Sequence, residues 1–279
     1  MPQTIRLDIA AGVARITLDR PDRLNAFAAD MREQLIAALD RVAAAPGVNV
    51  LVITGAGRAF CSGGDVGHMV ELKDGGAAFA GLEPLLELGR GIVTRIDALP
   101  FPTLAAVNGV AAGAGLNLAL ACDLRVASDQ ASFGETFVRI GLHPDWGGTH
   151  ALPRLVGLPK ALELCWTGDM IDAAEALRIG LVNRVVPHDD LAADVEAFAA
   201  KLAAAPRTSV RLAKRSLRAA GERSLAECID AEAEAQRECW ESADSAEGLR
   251  AFVEKRAAKF GAGDFELAGR SSAAVPRFE

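Results

Sequence analysis

The stretch Pro102-Thr103-Leu104-Ala105-Ala106-Val107-Asn108-Gly109-Val110-Ala111-Ala112-Gly113-Ala114-Gly115-Leu116 decides how this chain folds. Its first part, 102–108, is apolar at odd and even positions alike. A strand without a polar face is one that helices cover on both sides. A glycine-rich turn, 109–115, follows, and Leu116 opens a helix predicted to run to Ala121. Upstream, Val48-Asn49-Val50-Leu51-Val52-Ile53-Thr54 has the same two-faced apolar character.

Toward the N-terminus, Ile5, Leu7 and Ile9 alternate onto one face, Ala10-Ala11-Gly12 turns the chain, and Val13, Ile16 and Leu18 continue it, which predicts a β-hairpin. Residues 28–45 have helical spacing through Met31, Leu35, Leu39 and Val42, ended by Pro46-Gly47. Downstream, the pattern predicts short strands at 124–127 and 131–133 and helices at 149–156, 159–167 and 172–179, with a last strand at 182–186. Beyond 191 the spacing is almost wholly helical, with Leu225, Ile229 and Trp240 on an apolar face. The predicted class is α/β, built of repeated β-β-α units. Its divisions are a core over 1–200, a helical region over 201–260 and a flexible tail over 261–279.

The 279 residues correspond to about 1.9 domains by length alone. A hydrophobic fraction of 51% with 24% charged residues excludes a disordered chain. The net charge of -7 argues against a general nucleic-acid binder, while leaving room for a local basic pocket. Five cysteines without CxxC spacing, and no charged-then-apolar leader, predict a reduced, cytoplasmic protein. The longest apolar runs are too short and too rich in Gly and Asn to span a membrane. The four histidines form no HxxxH or Cys/His cluster, so no metal site is expected.

Chemistry enters at two glycine turns, Ala59-Phe60-Cys61-Ser62-Gly63-Gly64-Asp65 and 108–115, each after an apolar strand. Unpaired N–H groups at such turns stabilise negative charge on an oxygen, aided by the helix dipole. Taken singly, either turn is also an ordinary place for glycine to supply unusual backbone angles. The Pro144-Asp145 turn that follows supplies a carboxylate, which reads equally as a turn-capping aspartate.

Together with Arg20-Pro21-Asp22-Arg23-Leu24-Asn25-Ala26 and the segments 58–65, 108–123 and 140–154, these turns resemble the enoyl-CoA hydratase/isomerase (crotonase) superfamily over roughly residues 5–260. The resemblance implies a crotonase-like spiral of β-β-α units, a C-terminal helical trimerisation region, and an acyl-CoA thioester whose carbonyl sits on the N–H groups of Gly64 and Ala114. It implies a homotrimer or dimer of trimers, CoA carried by the substrate with no separate cofactor, and no nucleic-acid or membrane partner. By position, the two glutamates of the family's hydratases are replaced by Asn117 and Phe137. Asp145 stands where isomerases, especially ring-epoxide isomerases of phenylacetate breakdown, carry their base. Moving a proton from the α to the γ carbon needs one group that takes and returns it, whereas adding water needs two in concert.

The expectation is therefore an isomerase with Asp145 as base, Asn117 as a supporting polar group, and Phe137 and Trp146 as a wall that excludes water and raises the Asp145 pKa. Glu135, two residues from Phe137, is a candidate substitute. Arg23 is expected at the CoA phosphates, Ala59, Ser62 and Asp65 along the adenine and pantetheine channel, and the stretch 66–88 around the acyl group. The alternatives are a hydratase using Asp145 and an activated water, a non-catalytic acyl-CoA binder, and covalent chemistry by Cys61 or by the aspartate.

Overall fold

A computed structural model describes residues 3–28, 30–76 and 78–261. The chain divides into two compact units, Met1–Ala203 and Ala204–Glu279.

In the first unit, strands β1 (Ile5–Ala10) and β2 (Val13–Leu18) form the expected hairpin, followed by helix α1 (Met31–Ala44) and strands β3 (Val50–Gly55) and β4 (Ala59–Cys61). Helices α2 (Val66–Asp74) and α3 (Phe79–Ala98) lead to β5 (Thr103–Val107), β6 (Val110–Ala112) and α4 (Ala114–Ala121). Strands β7 (Leu124–Ser128) and β8 (Ser132–Gly134), helices α5 (Gly148–Val156) and α6 (Leu158–Thr167), strand β9 (Ile171–Asp172), helix α7 (Ala173–Arg178), strand β10 (Arg184–Val186) and helix α8 (Leu191–Ala203) complete it.

Two sheets result, ordered β1-β2-β3-β5-β7-β10 and β4-β6-β8-β9. The pairs β3/β4, β5/β6 and β7/β8 each give one strand to each sheet, which is the predicted spiral. Within the larger sheet β2, β3, β5, β7 and β10 run parallel, with Ile53 beside Ala105 and Ala105 beside Arg125. The two apolar faces of β3 have different partners. Leu51 and Ile53 join the main core with Leu35 of α1 and Ile92 of α3. Val50 and Val52 pack with Leu104, Val126 and, from α8, Leu191 and Val195. Strand periodicity of two makes one residue serve each core in turn.

Two local expectations shift. Ile9 is exposed at the far end of the hairpin rather than sharing the burial of Ile5. Helix α4 begins at Ala114, inside the glycine turn, so the Ala114 amide sits in the first helical turn, where no intrahelical acceptor exists. The stretch 66–88, unassigned by pattern, carries α2 and the first half of α3: Gly81, Pro84, Gly89 and Gly91 interrupt the propensity of α3, yet Gly89, Ile92 and Ile96 bury one face.

The second unit holds α9 (Arg207–Ala219), α10 (Leu225–Trp240) and α11 (Ala243–Val253). A capping box between Ser224 and Glu227 starts α10, and an Arg211–Glu238 ion pair joins it to α9. Leu217, Leu225, Ile229, Trp240 and Phe252 of this unit are exposed. The tail expected over 261–279 lies, from residue 262 on, outside the described residues.

Candidate active site

The two glycine turns meet. Gly115 packs so closely on β4 that a Cβ there would stand 2.0 Å from the Cys61 carbonyl oxygen, and Gly63, at φ +100°, would put one 2.9 Å from the Ala112 oxygen. Only glycine permits either approach. As a result the Ala114 nitrogen lies 3.5 Å from the Cβ position of Gly63, next to Gly64. The loop before α1 ties in through Phe27, whose N–H donates to Gly63 and whose carbonyl accepts from Asp65. Neither the Gly64 nor the Ala114 N–H meets an acceptor among the described residues. Two amides on converging turns, both free, can clamp one oxygen.

Asp145 follows the 3-10 turn Thr136–Ile140 and precedes α5. Its position is set by an unusual turn: Trp146 (φ +50°) and Gly147 (φ +78°) are both left-handed, and the Gly148 N–H closes onto the Asp145 carbonyl at 3.0 Å. A tryptophan held there carries backbone strain. The indole is buried, stacks on Phe27 at 4.6 Å between ring centroids, and seats on Gly89 of α3. Phe137 is buried too, with its ring 3.7 Å from the Cβ position of Gly113. One oxygen of the Asp145 carboxylate is buried without a hydrogen-bond partner. Burial pushes the group up to about 6, opposed by the nearby Arg32 cation.

Asn117, on α4, donates to the Asp145 main-chain oxygen at 2.9 Å and to Glu135 at 3.5 Å. Glu135 is wholly buried, and burial holds its carboxyl up at about 8, against the pull of the Asn117 bond and reinforced by the Asp145 charge. The fold thus brings a second carboxyl within reach of the charge of the first, with Asn117 bonded to both residues, a proximity that the alignment of motifs did not assign. At neutral pH the two differ: Asp145 is largely ionised and Glu135 keeps its proton.

The loop 20–26 acts chiefly as scaffold. Asn25, fully buried, accepts from the Arg20 N–H and donates to the carbonyls of Ala56 and Ala59. Arg20 pairs with Asp65, whose other carboxylate oxygen caps α2. Arg23 is exposed in the 3-10 turn Pro21–Arg23. Of the expected channel residues, Ala59 is buried with its carbonyl bonded to Asn25 and Asn108, and the Ser62 N–H is bonded to Leu24, so both build the turn. Cys61 is buried, and burial pushes its thiol up to about 12, which removes the thiolate a nucleophile needs. No group of His, Cys, Asp or Glu among the described residues is arranged to hold a metal, and no described helix is long and apolar enough to cross a membrane.

Arg32, on α1, escaped the sequence reading because an arginine in an amphipathic helix reads as solvent-facing. It is 4% exposed, with its guanidinium 5.4 Å over the Phe27 ring and Nη2 3.8 Å from the Cβ position of Gly64.

A β-β-α spiral that sets two free amides beside a buried carboxylate is the architecture of crotonase-fold enzymes. The chain belongs to the enoyl-CoA hydratase/isomerase family, whose description matches residues 8–263. It is 45% identical to a protein of Rhodobacter capsulatus named "Probable enoyl-CoA hydratase", over 92% of this chain and 97% of that one. It is 37% identical to the 1,2-epoxyphenylacetyl-CoA isomerase of Escherichia coli, over 93% and 99% of the two chains. The solved structure of an enoyl-CoA hydratase from Bacillus anthracis superposes with a TM-score of 0.86 at 35% identity, over 92% and 99%.

Proposed function

We propose that this family member is an acyl-CoA isomerase that forms a thioester enolate with one aspartate base. The observation that carries the reading is one of access: Asp145 is partly reachable from solvent, whereas Glu135 is wholly buried and so kept from the substrate. A single ionised carboxylate serves a proton shift that starts and ends on the substrate.

In this reading the thioester carbonyl accepts hydrogen bonds from Gly64 and Ala114. Asp145 takes the α proton, and the C–H electron pair moves into the enolate, whose oxygen the two amides stabilise by about 3 kcal/mol each. The Asp145 carboxyl then returns that proton at the γ carbon, so the double bond shifts with no net gain or loss of atoms. Trp146 and Phe137 keep water away, and Asn117 holds the main chain of the base. In this reading CoA belongs to the substrate, the step as written needs no further cofactor, and the exposed Arg23 meets the CoA phosphates. The exposed apolar side chains of the second unit support assembly as a homotrimer or a dimer of trimers.

Hydration is the second reading, favoured by the hydratase names of relatives such as the crotonyl-CoA hydratase of Syntrophomonas wolfei, 37% identical, and by the second carboxyl. Incubation of wild type and Asp145→Ala with 3-enoyl- and 2-enoyl-CoA in deuterated water separates the two. Double-bond migration with α-deuterium exchange, both lost in the variant while binding remains, supports the isomerase. A dominant 3-hydroxyacyl product supports the hydratase, and thioester binding without exchange or turnover reduces the protein to a binder.

A further inference from the structure

Two buried arginines in the first unit behave differently. Arg125, 3% exposed, donates to the main-chain oxygens of Leu181 at 2.7 Å, Cys122 at 2.8 Å and Ala119 at 3.5 Å. That is how a structural arginine is satisfied. Arg32, 4% exposed, makes one long hydrogen bond, from Nη1 to the Phe27 carbonyl at 3.5 Å, and its Nε is buried without a partner. No ion pair to it occurs among the described residues. Burying a cation with most of its donors idle is costly unless something else satisfies them.

The idle donors have a direction. Nη2 approaches Gly64, so the guanidinium borders the turn on which the proposed thioester carbonyl sits, while Phe27 and Trp146 form an aromatic wall beside it. Three more side-chain oxygens of the same residue group are buried without partners: Oδ1 of Asp145, whose charge reaches Arg32, Oδ1 of Asn117, which packs on Gly148, and Oε1 of Glu135. An apolar acyl chain would satisfy none of them.

We infer that the Arg32 guanidinium donates hydrogen bonds to an uncharged oxygen, a hydroxyl, ketone or ether, on the acyl group a few bonds beyond the thioester carbonyl. The residue therefore selects acyl groups that carry such an oxygen. The inference rests on the thioester seat proposed above and adds the substrate class. An uncharged oxygen fits better than a carboxylate because the titratable groups acting on Arg32, namely Cys61, which burial keeps as the neutral thiol, then Asp145 and Glu33, bring only negative charge when ionised.

The test uses saturated acyl-CoA thioesters, which cannot isomerise, with one hydroxyl or keto oxygen walked along the chain. The plain chain and a dicarboxylic chain serve as references. Affinities are measured by calorimetry for wild type, Arg32→Met and Arg32→Lys. Wild type is expected to favour one oxygen position by about tenfold over the plain chain, the size of a hydrogen bond to a charged donor. Arg32→Met should bring that ratio to about one. Arg32→Lys, which keeps the charge and loses the fork, should retain part of the preference and carries the test if the methionine variant fails to fold. No favoured position in wild type, a preference that survives both substitutions, equal weakening of plain and oxygenated chains, or tightest binding of the dicarboxylic chain each overturns the inference. Absence of α-deuterium exchange with unsaturated substrates would retire the isomerase reading alone, because the binding preference is measured without turnover.

Discussion

The side-chain amide of Asn117 donates to the main-chain oxygen of Asp145 at 2.9 Å, and Asn117 sits one turn along the helix whose first amide is that of Ala114. The turn that carries the proposed base is therefore hydrogen-bonded to the helix that carries one of the proposed oxyanion donors. Asn117→Leu is expected to lower kcat by at least tenfold with KM little changed, because the carboxylate would lose its registration against a thioester that still binds. Steady-state kinetics check this. A change confined to KM would argue that Asn117 contributes to binding instead.

Ala114→Pro tests the oxyanion seat, since proline is tolerated in the first helical turn and replaces an N–H that has no internal acceptor with a Cδ methylene that cannot donate and occupies its place. The expected loss is about 10²- to 10³-fold in kcat with unchanged far-ultraviolet circular dichroism. Full activity would place the carbonyl elsewhere.

The rate–pH profile should have an acid limb near 6, with activity rising as Asp145 ionises. Arg32 is a cation that opposes the burial of this carboxylate, so removing it raises the Asp145 pKa further. Arg32→Met should move the limb to higher pH, and Arg32→Lys should leave it nearly in place. A limb unmoved in the methionine variant would disconnect the two charges.

Glu135 makes a different pH prediction. Its folded pKa, about 8, lies above its ordinary value of 4.5, so between those values the folded state holds a proton that the unfolded state releases. Stability from this group is full below about 4.5 and declines as pH rises toward 8, by a few kcal/mol at about 1.4 kcal/mol per pKa unit. Urea denaturation of Glu135→Gln should show less loss between pH 5 and pH 8 than wild type. Parallel curves would mean that Glu135 is ionised throughout.

Gly89→Ala should displace the indole of Trp146, whose Nε1 stands 2.2 Å from where the new methyl would be. Overpacking of this kind costs about 1–3 kcal/mol. Because Trp146 adjoins the base, kcat should fall as well, and indole fluorescence should report the move. Unchanged fluorescence and stability would show that α3 can shift aside.

Much of the architecture was legible in the residue pattern. The uninterrupted apolar runs of β3 and β5 announce strands covered on both faces, and the glycines at 63, 64, 113 and 115 announce turns that bring backbones close. These properties are local, since they depend on side-chain alternation and on the absence of a Cβ. Helix α3 was illegible because its interior glycines and proline lower local propensity, and tertiary burial of Ile92 and Ile96 outweighs that deficit.

Asp145 was nameable from the sequence because its motif is contiguous. Glu135 was nameable only as a candidate substitute and Arg32 not at all, because what each does depends on its neighbours in space. An arginine in an amphipathic helix is solvent-facing by default, and only packing buries it. Burial and charge proximity are properties of three-dimensional neighbours. The tertiary structure alone therefore decided that Glu135 is buried within reach of the Asp145 charge, and that Arg32 packs against the Gly64 turn with its Nε unpaired.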